Sequence, residues 1–224
     1  MTLTVTDNAG NSASRTQLVP VGTGGTLITP IDTDSFNQTN SQLTVQLPNN
    51  AQAGDVAIAF VTVNVSSTVA TAPLGWVYAD DQINGQIRTY VYWRTLTAAE
   101  AGSNATFSLS SSAKSDLTIS TFRGVDGANP IAALGTTATA STRSEHVAPA
   151  LNFVGEATIV QYWAERTSAS TEIFAAPDLA TLSTSIGSLN ARINTTLALD
   201  PDVRTGSSRA SVAVTEHHSR RVLG

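Results

Sequence analysis

Short runs in which apolar and polar residues alternate recur along the chain, with clusters of turn-forming residues between them. In Leu43-Thr44-Val45-Gln46-Leu47 every second residue is apolar. That period places one side of a β-strand against a core and the other against solvent. The same criterion, with enrichment in Val, Ile, Thr and aromatic residues, predicts strands at 2–6, 27–31, 42–47, 56–65, 76–80, 86–95, 105–110 and 117–123. It continues with 145–151, 157–166, 179–185, 191–199 and 210–217. Turn signals separate them: Pro48-Asn49-Asn50, Ala53-Gly54-Asp55 and Asp126-Gly127-Ala128-Asn129-Pro130. Asn84-Gly85, between Ile83 and Ile87, predicts a tight hairpin, because both residues accept positive φ.

Helix is scarce. Thr97-Ala98-Ala99-Glu100-Ala101-Gly102 reads as one helical turn, with Thr97 as N-cap, Glu100 completing a capping box and Gly102 ending it. About a dozen strands at such short spacing imply two packed antiparallel sheets, an all-β sandwich of jelly-roll type. Residues 12–25, ending in Gly22-Thr23-Gly24-Gly25, lack periodicity and read as a flexible linker. The expected organisation is a terminal strand and linker over 1–25, followed by a sandwich module over 26–224.

Composition supports this picture. Hydrophobic residues make up 41% of the 224, enough for a packed interior, but only 13% are charged, against roughly 25% in ordinary globular proteins. Thr, Ser, Ala and Asn fill the difference, a mix that disfavours long surface helices and suits strands. The net charge of −5, with only 12 Lys and Arg residues, argues against nucleic-acid binding, which draws its affinity from clustered cations. Only Arg220-Arg221 are adjacent. The absence of cysteine excludes disulfides, thiolate metal sites and thiol catalysis. No run of about 18 apolar residues predicts a membrane span, and no basic segment followed by an apolar stretch predicts a signal peptide.

Two resemblances add to the reading. Residues 2–14, Thr-Leu-Thr-Val-Thr-Asp-Asn-Ala-Gly-Asn-Ser-Ala-Ser, resemble the last strand of PKD-type and related bacterial immunoglobulin-like repeats. Those repeats commonly end in a Val-Thr-Asp-x-x-Gly-Asn pattern on extracellular proteins. Farther along stand Ala53-Gly54-Asp55, Pro73-Leu74-Gly75-Trp76, a Tyr-rich strand ending in Trp93-Arg94, and Phe122-Arg123-Gly124-Val125-Asp126. With these features residues 26–224 resemble a β-sandwich module of secreted bacterial proteins and of phage tail or surface proteins. The resemblance implies an extracellular, cell-surface or virion location, and carries no catalytic residues.

Candidate chemistry is sparse. A hydrolytic triad needs a histidine near a nucleophile and a carboxylate, yet His146, His217 and His218 sit in no nucleophile motif, although Glu145 and Glu216 adjoin them. Acid pairs for glycosidase chemistry find material in Asp80, Asp81, Glu100, Glu156, Glu165 and Glu172, but nothing along the strands places any two together. Calcium prefers loop oxygens; Asp126 with Asn129, and Asp200 with Asp202, are the candidate ligands, against the plainer reading that Asx residues close their own turns. Aromatic residues give the best lead. Trp76 and Tyr78 share one strand face and Tyr90 and Tyr92 another, with Trp93 opposite. These four are the candidate ligand-binding residues, while Trp93 and Trp163 are expected in the core. The expectation is a non-catalytic module for adhesion or for binding a polysaccharide or cell-surface glycan. The alternative is an assembly domain that links neighbouring subunits through its N-terminal strand.

Overall fold

The computed structural model describes residues 3–7, 13–20, 27–139, 145–167, 172–176, 178–188, 192–200, 202, 204–208 and 211–217. These residues form β-strands and turns with no α-helix among them. Among the described residues no helix is long and apolar enough to cross a membrane. The strands are β1 (Leu3–Asp7), β2 (Ala13–Pro20), β3 (Thr29–Gln46), β4 (Val56–Val63), β5 (Ala70–Thr71), β6 (Val77–Asn84), β7 (Ile87–Thr95) and β8 (Asn104–Arg123). Then come β9 (Ile131–Thr139), β10 (Glu145–Ala148), β11 (Asn152–Ala157), β12 (Val160–Thr167), β13 (Glu172–Ala175), β14 (Ala180–Ile186), β15 (Arg192–Leu199), β16 (Arg204–Ser207) and β17 (Ser211–His217). The expected helical turn is a 3-10 turn at Ala98–Glu100, where the Glu100 carboxylate accepts the Thr97 N–H at 2.8 Å.

Two six-stranded sheets dominate. The first has the order β3-β8-β4-β7-β6, with β5 added on β8; the second runs β14-β15-β12-β1-β2-β9. The described pairings are antiparallel except one: β1 lies parallel to β12, from Leu3 opposite Tyr162 to Asp7 opposite Arg166. The antiparallel expectation is corrected at that pair. The linker expectation is corrected over Ala13–Pro20, which is a strand paired with β1 and β9. Residues 21–25 of that segment lie outside the described residues.

The sheets face each other through a shared core. Val56, Ile58 and Phe60 of β4, with Val91 and Phe122, pack against Val160, Tyr162 and Ala164 of β12 and Ile193, Leu197 and Leu199 of β15. At its centre the Phe60 and Tyr162 rings stack with centroids 4.4 Å apart. Each such side chain contributes about 1.5–3 kcal/mol by leaving water. The Tyr162 hydroxyl meets polar groups in this core: it lies 2.9 Å from Thr62 Oγ1 and donates to Asp116 Oδ2 at 3.2 Å. Thr118 donates to the same carboxylate oxygen at 2.7 Å.

The alternate residues of β4 are buried too, which explains why the strand is apolar but for Thr62. β4 pairs with β8 only from Ser115 to Phe122. Beyond a register shift at Asn40–Gln42 the antiparallel β3–β8 pairing continues and folds back over the first sheet. Leu43, Val45, Ala105, Phe107 and Leu109 from this flap pack on Ala57, Ala59, Val61 and Val63. On the far side of the second sheet, Trp163 and Ala198 pack with Phe174 and Ala176, beneath the small sheet β10-β17-β13.

Candidate ligand-binding groove

The outward face of β7 carries Arg88, Tyr90, Tyr92 and Arg94, opposite Val63, Val61, Ala59 and Ala57 of β4. The small side chain of Ala59 across from Tyr92 leaves room for a ring to lie on the sheet. The neighbouring β6 is an edge strand with a register shift between Tyr78 and Asp80, so that Tyr78 stands opposite Tyr92 and Asp81 opposite Tyr90. Residues 78 and 81 would face opposite ways on a regular strand. The bulge re-aims one of them and brings both to the face that carries the tyrosines.

A groove of about 420 Å³ results, lined by Trp76, Tyr78, Asp81, Arg88, Tyr90 and Tyr92 and bordered by residues 69–72. All four aromatic residues singled out in the sequence therefore meet in one place. Tyr90 and Tyr92 form its floor, with only 3% and 6% of their surface exposed. Their hydroxyls donate to the backbone carbonyls of Thr68 at 2.9 Å and Ala70 at 2.8 Å, tying the 64–72 segment to the sheet. Tyr78 is 52% exposed and meets Tyr92 edge-on at 5.8 Å. Trp76 is half-buried and edges onto Phe107 of the flap at 5.2 Å.

Among the described residues the groove's charged equipment is one pair. Asp81 Oδ2 accepts from Arg88 Nε at 2.7 Å, and Asp81 Oδ1 accepts from the Tyr78 hydroxyl. The Arg88 guanidinium lies 4.4 Å from the Tyr90 ring centroid, a cation–π contact that fixes its plane. Burial and the neighbouring Asp81 carboxylate raise the Tyr78 phenol above its ordinary pKa. Burial pushes Tyr92 up to about 12. The phenols stay neutral donors across the physiological range.

Trp76 is set by its approach. Gly75 has φ +91°, and a Cβ there would lie 2.7 Å from the Arg94 guanidinium. Arg94 in turn donates to the Leu74 carbonyl at 2.5 Å and pairs with Glu100 at 2.6 Å. The Pro-Leu-Gly-Trp and Trp-Arg phrases of the sequence are thus two halves of one clasp. A second clasp joins Ala-Gly-Asp to Phe-Arg-Gly: Arg123 grips buried Asp55 through Nε at 2.9 Å and Nη2 at 2.8 Å.

Among the described residues the other candidates do not gather. Asp126 Oδ1 accepts the Ala128 N–H at 2.9 Å and Asp200 Oδ1 the Asp202 N–H at 3.0 Å, each closing a turn, while Asn129 is exposed. Among the described residues no group of three or more His, Asp or Glu side chains converges as a metal site. His146 is buried edge-on against Phe174 at 5.2 Å; His217 lies on β17; His218, Arg220 and Arg221 lie outside the described residues. Trp163 is fully buried, and Trp93 is partly buried against the sandwich core. Asp81 and Arg88 were not singled out from sequence as ligand-binding residues. Arg88 had a usable signal, since it stands two and four residues from Tyr90 and Tyr92 on one strand. Asp81 had none, because a bulge puts it there. Comparison with known protein families, with characterised proteins and with solved structures gives no match.

Proposed function

We propose that this chain is a non-catalytic glycan-binding or adhesion module, displayed outside the cell or on a virion, and that the groove on its first sheet holds the saccharide. The observation that carries the reading is the meeting of Trp76, Tyr78, Tyr90 and Tyr92 with Asp81 and Arg88 in one open groove. A pyranose ring has an apolar C–H face and a rim of hydroxyls. Aromatic rings cover the first, and a carboxylate beside a guanidinium offers acceptor and donor to the second. Floor tyrosines bonded to backbone carbonyls pre-organise the surface, which lowers the entropy lost on binding. The resemblance of residues 26–224 to modules of secreted and phage-surface proteins supports the location. The reading in which the N-terminal strand links subunits draws less support, because β1 has a strand on each side within its own chain.

The test is binding to a panel of soluble and insoluble polysaccharides, comparing wild type with Trp76→Ala. Retention of at least one glycan, weakened in a Trp76→Ala protein with an unchanged circular dichroism spectrum, is the expected result. Failure to retain any glycan across a broad panel would overturn the reading.

A further inference from the structure

We infer that the groove selects neutral sugars and binds them without calcium, an inference that rests on the glycan-binding reading above. Among the described residues Asp81 and Arg88 are the only charged ones lining the groove, and they are bonded to each other at 2.7 Å. The lining therefore carries no net charge. An anionic sugar, such as a uronate or a sulfated residue, needs a cation free to meet it. Arg88 instead spends Nε on Asp81 and lies over Tyr90, and a sugar carboxylate approaching it would also meet the Asp81 carboxylate. A cationic amino sugar needs an uncommitted carboxylate, whereas Asp81 already accepts from Arg88 and Tyr78.

A neutral hydroxyl suits the pair better. It donates and accepts at once, so adjacent hydroxyls can use Asp81 as acceptor and Arg88 as donor without separating the two charges. The exposed ring of Tyr78, itself bonded to Asp81, stands beside that pair and offers the apolar surface for the C–H face of the same sugar. Calcium-bridged recognition needs six to eight oxygen ligands, several of them carboxylates or carbonyls free to turn to the ion. The groove offers one carboxylate, and its charge is already compensated.

Isothermal titration of the full chain with neutral and with uronic or sulfated oligosaccharides, each with added calcium and with chelator, tests the inference. Neutral oligosaccharides should bind with affinity unchanged within about twofold by chelator or salt, as expected where no net charge is screened. Tyr78→Ala should lose roughly tenfold or more, and Tyr78→Phe less, as the ring carries the contact. Asp81→Asn releases Arg88 and should move preference several-fold toward the acidic sugars. The inference falls if acidic sugars bind wild type more tightly through a site that Tyr78→Ala destroys, if chelator abolishes binding, or if Asp81→Asn leaves preference unmoved. In those cases the glycan-binding reading survives. If no sugar of either kind binds, that reading falls and this inference with it.

Discussion

Asp116 puts a carboxyl group where the two sheets meet, with none of its surface in contact with water. Burial raises its pKa above the ordinary value, and the hydroxyls of Thr118, Ser185, Thr195 and Tyr162 offset only part of that shift. The folded protein therefore holds this proton more tightly than the unfolded chain does. Its contribution to stability is fully present below the unfolded carboxyl pKa, about 3.9, and is lost as pH rises through the folded value. Between the two, one proton changes stability by up to about 1.4 kcal/mol per pH unit. Asp116→Asn keeps an oxygen for the Thr118 and Tyr162 hydroxyls and removes the proton. The variant should gain on wild type as pH rises through that window, by up to about 1.4 kcal/mol per pH unit, and above the folded value the difference between the two should stay constant. Urea denaturation of both proteins in steps from about pH 4 to pH 8 measures the difference, and groups unaffected by the substitution cancel in it. Parallel stability curves over the whole range would show that Asp116 ionises equally easily in both states, and would refute the argument from burial.

Other changes should separate fold from groove. Phe60→Ala removes the ring stacked on Tyr162 and should cost about 3–5 kcal/mol in denaturant unfolding. Gly75→Ala forces a side chain into positive φ against Arg94; it should cost about 1–3 kcal/mol and weaken glycan binding by displacing Trp76. Arg123→Lys replaces a two-pronged grip on Asp55 with a point charge and should lower the melting temperature while leaving glycan affinity unchanged. Because the Tyr92 phenol titrates only near 12, glycan affinity should be flat from about pH 6 to pH 9; a loss on the alkaline side of that range would contradict the neutral-phenol groove.

How far the sequence reached depended on where each segment lies. The alternation of residues 43–47 is realised as drawn: Leu43, Val45 and Leu47 are buried and Gln46 is exposed. The run at Val56–Val63, apolar but for Thr62, marks a strand covered on both faces, yet nothing in it says that the folded-back ends of β3 and β8 provide the second cover. The polar stretch around residues 32–41 broke one long strand into two predicted ones. It is strand because β3 is the sheet edge, where polar side chains are tolerated on both faces. There Asn37 donates across to Ser185 Oγ and the Ile193 carbonyl at 2.9 and 2.8 Å, a contact between segments far apart in the chain. The Asn84-Gly85 hairpin exists, displaced by one residue: Asn84 still pairs with Ile87, and Gly85 takes φ +58° in the turn. β9 was missed because Ala132-Ala133-Leu134-Gly135 has no strand-forming character of its own and is held by its neighbour β2. The aromatic half of the groove was legible, since large rings at period two announce a face. Its polar half depended on a bulge, and register shifts leave no periodic trace.

The most direct test of the groove as a binding site is a titration with oligosaccharide followed by the indole N–H signals of the three tryptophans in a nitrogen-15 correlation spectrum. Trp76 lines the groove, Trp93 packs toward the sandwich core, and Trp163 is fully buried beneath the far sheet. The account predicts a saturable shift of the Trp76 signal while that of Trp163 stays fixed. Saturable binding that leaves Trp76 unmoved, or that perturbs Trp163 instead, would place the ligand elsewhere and contradict it.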